Sequence, residues 1–202
     1  MISSEKYSHT LKSLANRRIG AVALLGFASG LPLALTGGTL QAWMAVEGVD
    51  LQTIGIFSLV GLPYALKFFW APLLDRYALP FLGRRRGWIL GTQFVLMGLI
   101  FLLGLTSPKN TPWLVALLAL LLTFTSASQD IVIDAYRTDV LREKERGLGA
   151  AVSVTGYRIA MLVSGALALI LAGPLGWRLT YLLMAGLMLI GTMATFFGPE
   201  PE

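Results

Sequence analysis

Long apolar runs, broken by short charged or turn-forming segments, divide this chain of 202 residues. A helix needs about 20 predominantly apolar residues to cross the hydrocarbon core of a bilayer. Six stretches meet that length: 19–43, 51–74, 88–105, 113–134, 148–172 and 177–197. The separating segments are 46–50, 75–87, 106–112, 138–147 and 173–176. The pattern predicts an all-α integral membrane fold, with six transmembrane helices forming one bundle over 19–198. A polar tail, 1–18, precedes the bundle. Residues 199–202 follow it as the start of a linker.

The six runs differ in what interrupts their apolar character. The third and sixth carry little that is polar beyond Thr92, Gln93, Thr180 and Thr192. The first, second, fourth and fifth carry Thr36, Thr39, Gln41, Lys67, Gln129, Asp130, Asp134 and Arg158. A lipid-facing helix can be apolar all round, whereas polar groups at membrane depth face a cavity or one another. Spans one, two, four and five are therefore expected to enclose a cavity, with three and six outside. The alternation returns after three helices, as an inverted three-plus-three repeat requires.

Composition sharpens this picture. The chain is 55% hydrophobic and 13% charged, against about 25% charged residues in a typical soluble domain. Its net charge of +5 belongs to the connecting segments and forms no basic face, so it is not read as a nucleic-acid footprint. One set of alternate segments holds Lys6, Lys12, Arg17 and Arg18, then Arg76 and Arg84–Arg86, then Arg137, Arg142, Lys144 and Arg146. The opposite segments hold Lys109 and Arg178. Positive charge accumulates on the cytoplasmic side, so both termini are expected there. Trp43, Trp88, Trp113 and Trp177 sit at span ends, where indoles favour the interface. The tail is too polar, and the run after it too long, for a cleavable signal. The chain has no cysteine and so no thiol chemistry.

The candidate chemistry is concentrated in the fourth span. Thr123, Ser126, Asp130, Asp134 and Arg137 recur at three- and four-residue spacing, which places them on one helical stripe. Two carboxylates one turn apart repel when both are ionised, and a buried one is suited to take up and release a proton. Asp134 lies nearer the cytoplasmic end, where a solvated structural role is the alternative. Lys67 and Arg158 are cations at membrane depth and need anionic partners. Arg158 either bridges to Asp130 or Asp134 or grips the carboxylates of a substrate, and Lys67 either does the same or snorkels. Gly26, Gly30 and Pro32 suit close helix packing followed by a kink. The cluster of Asp75, Arg76, Arg84, Arg85, Arg86, Arg137 and Asp139 is either a cytoplasmic gate or simple topogenic charge.

Asp75-Arg76 and Gly83–Arg86 resemble the loop signature of the major facilitator superfamily, with extra residues between the acid and the basic run. Longer strings are more specific: Gly26-Phe-Ala-Ser-Gly-Leu-Pro-Leu-Ala-Leu-Thr36, Leu40-Gln-Ala-Trp-Met44, Lys67-Phe-Phe-Trp-Ala-Pro-Leu-Leu-Asp-Arg-Tyr77 and Ser126-Ala-Ser-Gln-Asp-Ile-Val-Ile-Asp134. These are similar to the AmpG muropeptide permease family, and the similarity continues through Glu145-Arg-Gly147 and Gly156-Tyr-Arg158 to the Pro-Glu-Pro ending.

The resemblance implies import of anhydromuropeptides across a bacterial inner membrane for peptidoglycan recycling and β-lactamase induction. Uptake would be driven by the proton gradient without a cofactor or metal. Polarity at membrane depth fits such a carrier: Asp130 and Asp134 are the expected proton-coupling acids, Lys67 and Arg158 suit substrate carboxylates, and Gln41, Gln129, Tyr64 and Tyr157 suit its sugars. Members of the superfamily have about twelve helices, so a six-helix chain is expected to need a C-terminal half or a second copy. A carrier of another anion, such as an acetyl-CoA-like compound, is the rival reading. Membrane-enzyme signatures are incomplete: Asp130-Ile-Val-Ile-Asp134 lacks the preceding acidic motif of CDP-alcohol phosphotransferases, and the single His9 stands alone in the tail.

Overall fold

The computed structural model describes residues 16–77 and 83–200, except the side chain of Arg84. Most of the tail, including His9, therefore lies outside the described residues, as do 78–82 and the last two positions. The described residues are helical, with no strand among them. Span one joins α1 (Arg17–Ala34) to α2 (Leu40–Val46) through a π-helical segment, Leu35–Thr39. Span two is assembled from α3 (Leu51–Phe57), α4 (Leu62–Leu66) and α5 (Ala71–Arg76), separated by two short 3₁₀ turns. Spans three and four are the single helices α6 (Arg84–Gly104) and α7 (Pro112–Val140). The remainder is nearly continuous helix: α8 (Arg146–Leu162), a second π-helical segment (Val163–Leu167), α9 (Ala168–Leu187) and α10 (Leu189–Phe197).

Local chemistry marks the boundaries. Asn16 caps α1 by accepting from the Arg18 amide, and Asp50 caps α3 by accepting from the Thr53 amide at 2.8 Å. Pro112 opens α7 at a position where its missing N–H costs nothing. Gly48 and Gly83, at φ 77° and 81°, make the turns before spans two and three.

By length and composition five stretches among the described residues qualify as membrane spans, where the hydropathy pattern predicts six. The difference lies at 173–176, expected to be a loop. There the backbone stays helical except at Gly176 (φ 77°, ψ 161°), so the fifth stretch runs without a loop through 55 residues. At 1.5 Å per residue a straight helix of that length would measure about 80 Å, against a hydrocarbon core of about 30 Å. The chain instead doubles back. Gly26 and Gly30 of span one meet Ser153 and Tyr157, in parallel order, whereas Ala28 and Ala21 meet Gly191 and Gly198, in reverse order. The returning arm also runs against α6, with Tyr181 beside Gly104 and Gly191 beside Gln93.

Two seams hold the bundle. In the first, α1 lies directly on α8: a Cβ on Gly26, Gly30 or Gly156 would stand 2.4 Å from the backbone carbonyl of Ser153, Tyr157 or Ala23 respectively. Small residues allow this backbone-to-backbone approach where lipid offers no hydrophobic drive to association. The two π-helical segments meet further along, where the Thr39 hydroxyl donates to the Ser164 carbonyl at 2.7 Å and the Tyr181 hydroxyl to that of Leu35 at 3.0 Å. The second seam gathers the far end of the bundle. Trp43 stacks on Trp177 at 5.7 Å and packs against the buried Tyr181.

The face carrying the termini is cross-linked by charge. Arg85 bridges Asp75 (2.5 Å) and Asp139 (3.1 Å), tying the ends of spans two and four to the start of span three. Arg86 donates to the carbonyls of Thr195 and Phe196 and pairs with Glu200 at 2.7 Å, while Arg17 donates to the Phe197 carbonyl and Tyr136 to that of Pro199. Spans one and three thus hold the C-terminal carbonyls of α10, which a helix end leaves unpaired and partly negative, and span four holds the carbonyl of Pro199 just beyond it.

Candidate functional site

A cavity of about 880 Å³ opens among spans one, two, four and the rising arm of the fifth stretch. Its polar wall comprises Ser29, Lys67, Asp130, Asp134, Arg137, Ser153, Tyr157 and Arg158. No residue of α6 or α10 lines it, as the uneven distribution of polar residues predicted.

Asp130 lies midway along the fourth-span stripe, its side chain 10% exposed. The Ser29 hydroxyl donates to its Oδ1, and Lys67 Nζ stands 3.8 Å from its Oδ2. The carboxylate is thus held by a hydroxyl from span one and an ammonium from span two. Asp134, one turn nearer the termini, differs: its side chain is 57% exposed and pairs at 3.1 Å with Arg137 on its own helix. Arg137 also reaches Ser153 Oγ at 3.5 Å. Arg158 lines the same wall and joins neither carboxylate among the described ion pairs. Of the alternatives open for the two membrane-depth cations, Lys67 takes the internal pair and Arg158 does not.

The structure separates the other candidates. Tyr157 lines the cavity. Gln41 and Tyr64 instead line a second, smaller cavity of about 120 Å³ between spans one and two, and Gln129 is fully buried and lines neither. Gln129 follows Ser128 and precedes Asp130, and the 100° turn per residue carries its side chain to a different face from that of Asp130. Within the charged cluster, Asp75, Arg85 and Asp139 come together, but Arg86 turns to the end of α10, Arg137 turns to the cavity, and Arg76 is exposed at the end of α5. The Arg84 side chain lies outside the described residues. Ser29 and Ser153 are site residues that the spacing argument missed. Ser29 sits inside the Gly26–Pro32 string, whose small residues read as packing alone.

The polar wall carries three cations and two carboxylates, each carboxylate already paired. That leaves a guanidinium facing the space, with the planar donor set that grips a carboxylate through two hydrogen bonds. No group of three or more metal-ligating side chains occurs among the described residues.

Comparison with known proteins agrees with this architecture. Residues 22–202 match the Major Facilitator Superfamily. The chain is 56% identical over 195 residues to the anhydromuropeptide permease of Escherichia coli (strain K12), covering 96% of this chain and 40% of that protein. It is 44% identical to an uncharacterized protein of Haemophilus influenzae, covering 96% and 46%, and 36% identical to the putative transporter AmpG 1 of Rickettsia conorii, covering 88% and 43%. The chain therefore spans less than half the length of these relatives. With nearly all of its described length matched and its polar spans enclosing a common cavity, the chain belongs to the Major Facilitator Superfamily.

Proposed function

We propose that this chain supplies one wall of the substrate cavity in a proton-coupled importer of anhydromuropeptides in a bacterial inner membrane, with both termini cytoplasmic. The observation that carries the reading is Arg158, a cation on the cavity wall that neither Asp130 nor Asp134 neutralises. Muropeptides bear several carboxylates, and a similar protein carries the name anhydromuropeptide permease. The cavity, about 880 Å³, falls in the size range of sites that hold small molecules. A second half, or a second copy, closes the other side of the cavity in this reading, because alternating access needs two bodies rocking about a shared site.

Asp130 is the coupling acid. While ionised it engages Lys67, and a proton on its carboxyl removes the charge that holds the ammonium. Lys67 is then available to a substrate carboxylate, so proton and anionic substrate occupy the site together rather than in competition. The coupling free energy is the difference in substrate affinity between the two protonation states.

The test is uptake of labelled anhydromuropeptide into right-side-out vesicles, with this chain alone and with its second half, with and without a proton gradient. The expected result is gradient-dependent accumulation when both halves are present. Arg158→Ala should raise the half-saturating concentration by about 10- to 100-fold, the effect of losing a charge-assisted hydrogen bond. Asp130→Asn should abolish accumulation. No uptake with both halves inserted, or competition by a nucleotide thioester in place of the muropeptide, would sink the substrate assignment.

A further inference from the structure

The second cavity is too small to enclose a muropeptide. Its 120 Å³ accommodates about four water molecules at roughly 30 Å³ each, and no sugar ring with its substituents. Thr36, Gly37, Gln41, Ser58, Gly61 and Tyr64 form most of its wall. Thr36 lies seven residues beyond Ser29, about 10 Å further along span one, on the side away from the termini. Room exists there because span one departs from helical geometry at Gly37 (φ −90°, ψ −114°) and span two breaks into a 3₁₀ turn at Ser58–Gly61.

Buried hydroxyls lead from this chamber toward Asp130. The Tyr64 hydroxyl sits beside that of Ser126 on α7, one turn from Asp130 on the same helical face. Tyr64 Oη, Ser126 Oγ and both amide atoms of Gln129 are buried, with no hydrogen-bonding partner of good geometry among the described residues. Ser126 and Gln129 are themselves fully buried. Buried polar groups left unpaired cost about 1–3 kcal/mol each, and ordered water is the usual remedy where a polar site has room. Tyr64 and Ser126 lie on the side of Asp130 away from Asp134 and Arg137, because Ser126 precedes Asp130 by one turn on α7 whereas Asp134 and Arg137 follow it. The titratable groups facing Asp130 are Lys67 from span two, Asp134 from its own helix, and Tyr64 and Tyr157 from spans two and five.

We propose that the chamber is a hydrated inlet that carries protons to Asp130 from the membrane face opposite the termini, through water held by Gln41, Thr36 and Tyr64 and past Ser126. A proton passes along hydrogen-bonded water onto the ionised carboxylate, and no other group gains or loses charge. Asp130 then stands between two compartments, the inlet on one side and the substrate cavity on the other. This rests on the reading of Asp130 as the coupling acid.

Two measurements test it. The first is millisecond hydroxyl-radical labelling in ¹⁸O-water of this chain in lipid nanodiscs. Tyr64 is expected to acquire label despite the burial of its hydroxyl, and an unlabelled Tyr64 overturns the hydrated chamber. The second compares the complete transporter with its Gln41→Leu/Tyr64→Phe variant in proteoliposomes containing a pH-sensitive dye. Substrate-dependent proton influx should fall about tenfold, the effect of one lost hydrogen bond on a rate, while equilibrium exchange of labelled anhydromuropeptide is retained. Unchanged influx, or exchange falling in parallel with influx, overturns the inlet. Asp130→Asn is measured alongside. If it still accumulates substrate, the coupling reading fails and the inlet with it, even where Tyr64 is labelled; if it does not, the chamber variants decide the inlet alone.

Discussion

Spans one and two face the same cavity and are built in opposite ways. Span one is pressed into α8 along a glycine seam, and its residues from Leu25 to Pro32 are buried almost without exception. Span two is three short helices joined by 3₁₀ turns, with Leu51 84% and Phe69 72% exposed. Span one gives Asp130 a hydroxyl on a fixed backbone, and span two gives it an ammonium on a loosely packed one. The pair therefore joins a closely packed wall to a more exposed one through a single carboxylate. Span two is tied to span four through Arg85, which bridges Asp75 and Asp139, and nearer its middle by the Trp70 indole, which donates to Ser128 at 3.0 Å while its ring packs on Phe124 at 4.7 Å.

The largest expected effect comes from adding one methyl group to each wall. Gly30→Ala places a Cβ 2.4 Å from the Tyr157 carbonyl oxygen, a backbone atom that cannot rotate away. The helices must part, and overpacking of this kind costs about 1–3 kcal/mol or more. Gly55→Ala, in α3, meets nothing within 4 Å and should be neutral or stabilising by up to about 1 kcal/mol, the helix preference of alanine over glycine. Thermal unfolding of the two variants in lipid nanodiscs checks both. Equal behaviour would remove the distinction between the walls.

An intermediate effect is expected at the tie between spans two and four. Trp70→Phe keeps the ring contact with Phe124 and removes the donor to Ser128, whose own hydroxyl still donates to the Phe124 carbonyl. The cost should be about 0.5–1.5 kcal/mol. Amide exchange should speed up in span two and stay unchanged along α1, because the glycine seam does not depend on this bond. Equal acceleration in both would mean that the two walls move as one body.

The difference between the walls was partly legible in the sequence. Gly26, Gly30 and Pro32 marked span one for close packing, and the polarity of Asp130, Lys67 and Arg158 at membrane depth marked the cavity and the spans that enclose it. Helical spacing shows which residues share a face. It does not show which of several cations reaches a given carboxylate, so the partner of Asp130 stayed open until tertiary structure placed Lys67 there. Ser29 was hidden because a small residue beside glycines reads as packing. Arg86 was hidden because its partners are the Thr195 and Phe196 carbonyls, and backbone acceptors leave no trace in residue type. Gln41 and Tyr64 were placed with the substrate because polarity at depth does not distinguish a large cavity from a small one nearby. The reversal at Gly176 was legible as a break, and its form as one left-handed residue was not.

The smallest effect is expected at the start of span two, where the exposed Asp50 caps α3. Hydrogen bonds from the Thr53 hydroxyl, at 2.7 Å, and the Thr53 amide, at 2.8 Å, favour the ionised carboxylate and lower its pKa from the ordinary value of 3.8. A carboxylate whose folded pKa is depressed adds stability that is complete above its unfolded pKa and is lost as pH falls through the folded one. Protection of the Thr53 amide should therefore hold from neutral pH down to about 4, the ordinary range for aspartate, and decline below it. Asp50→Asn, which keeps a capping oxygen without the charge, should retain the cap and flatten that decline. Hydrogen exchange read at Thr53 between pH 3 and 6 checks both statements. The start of span one is no control, because the Asn16 amide that caps it also donates to the Glu145 carboxylate at 2.6 Å; the start of α7, which no side chain caps, is one, and a matching decline at the Val115 amide would show that acid loosens the whole bundle rather than the start of span two.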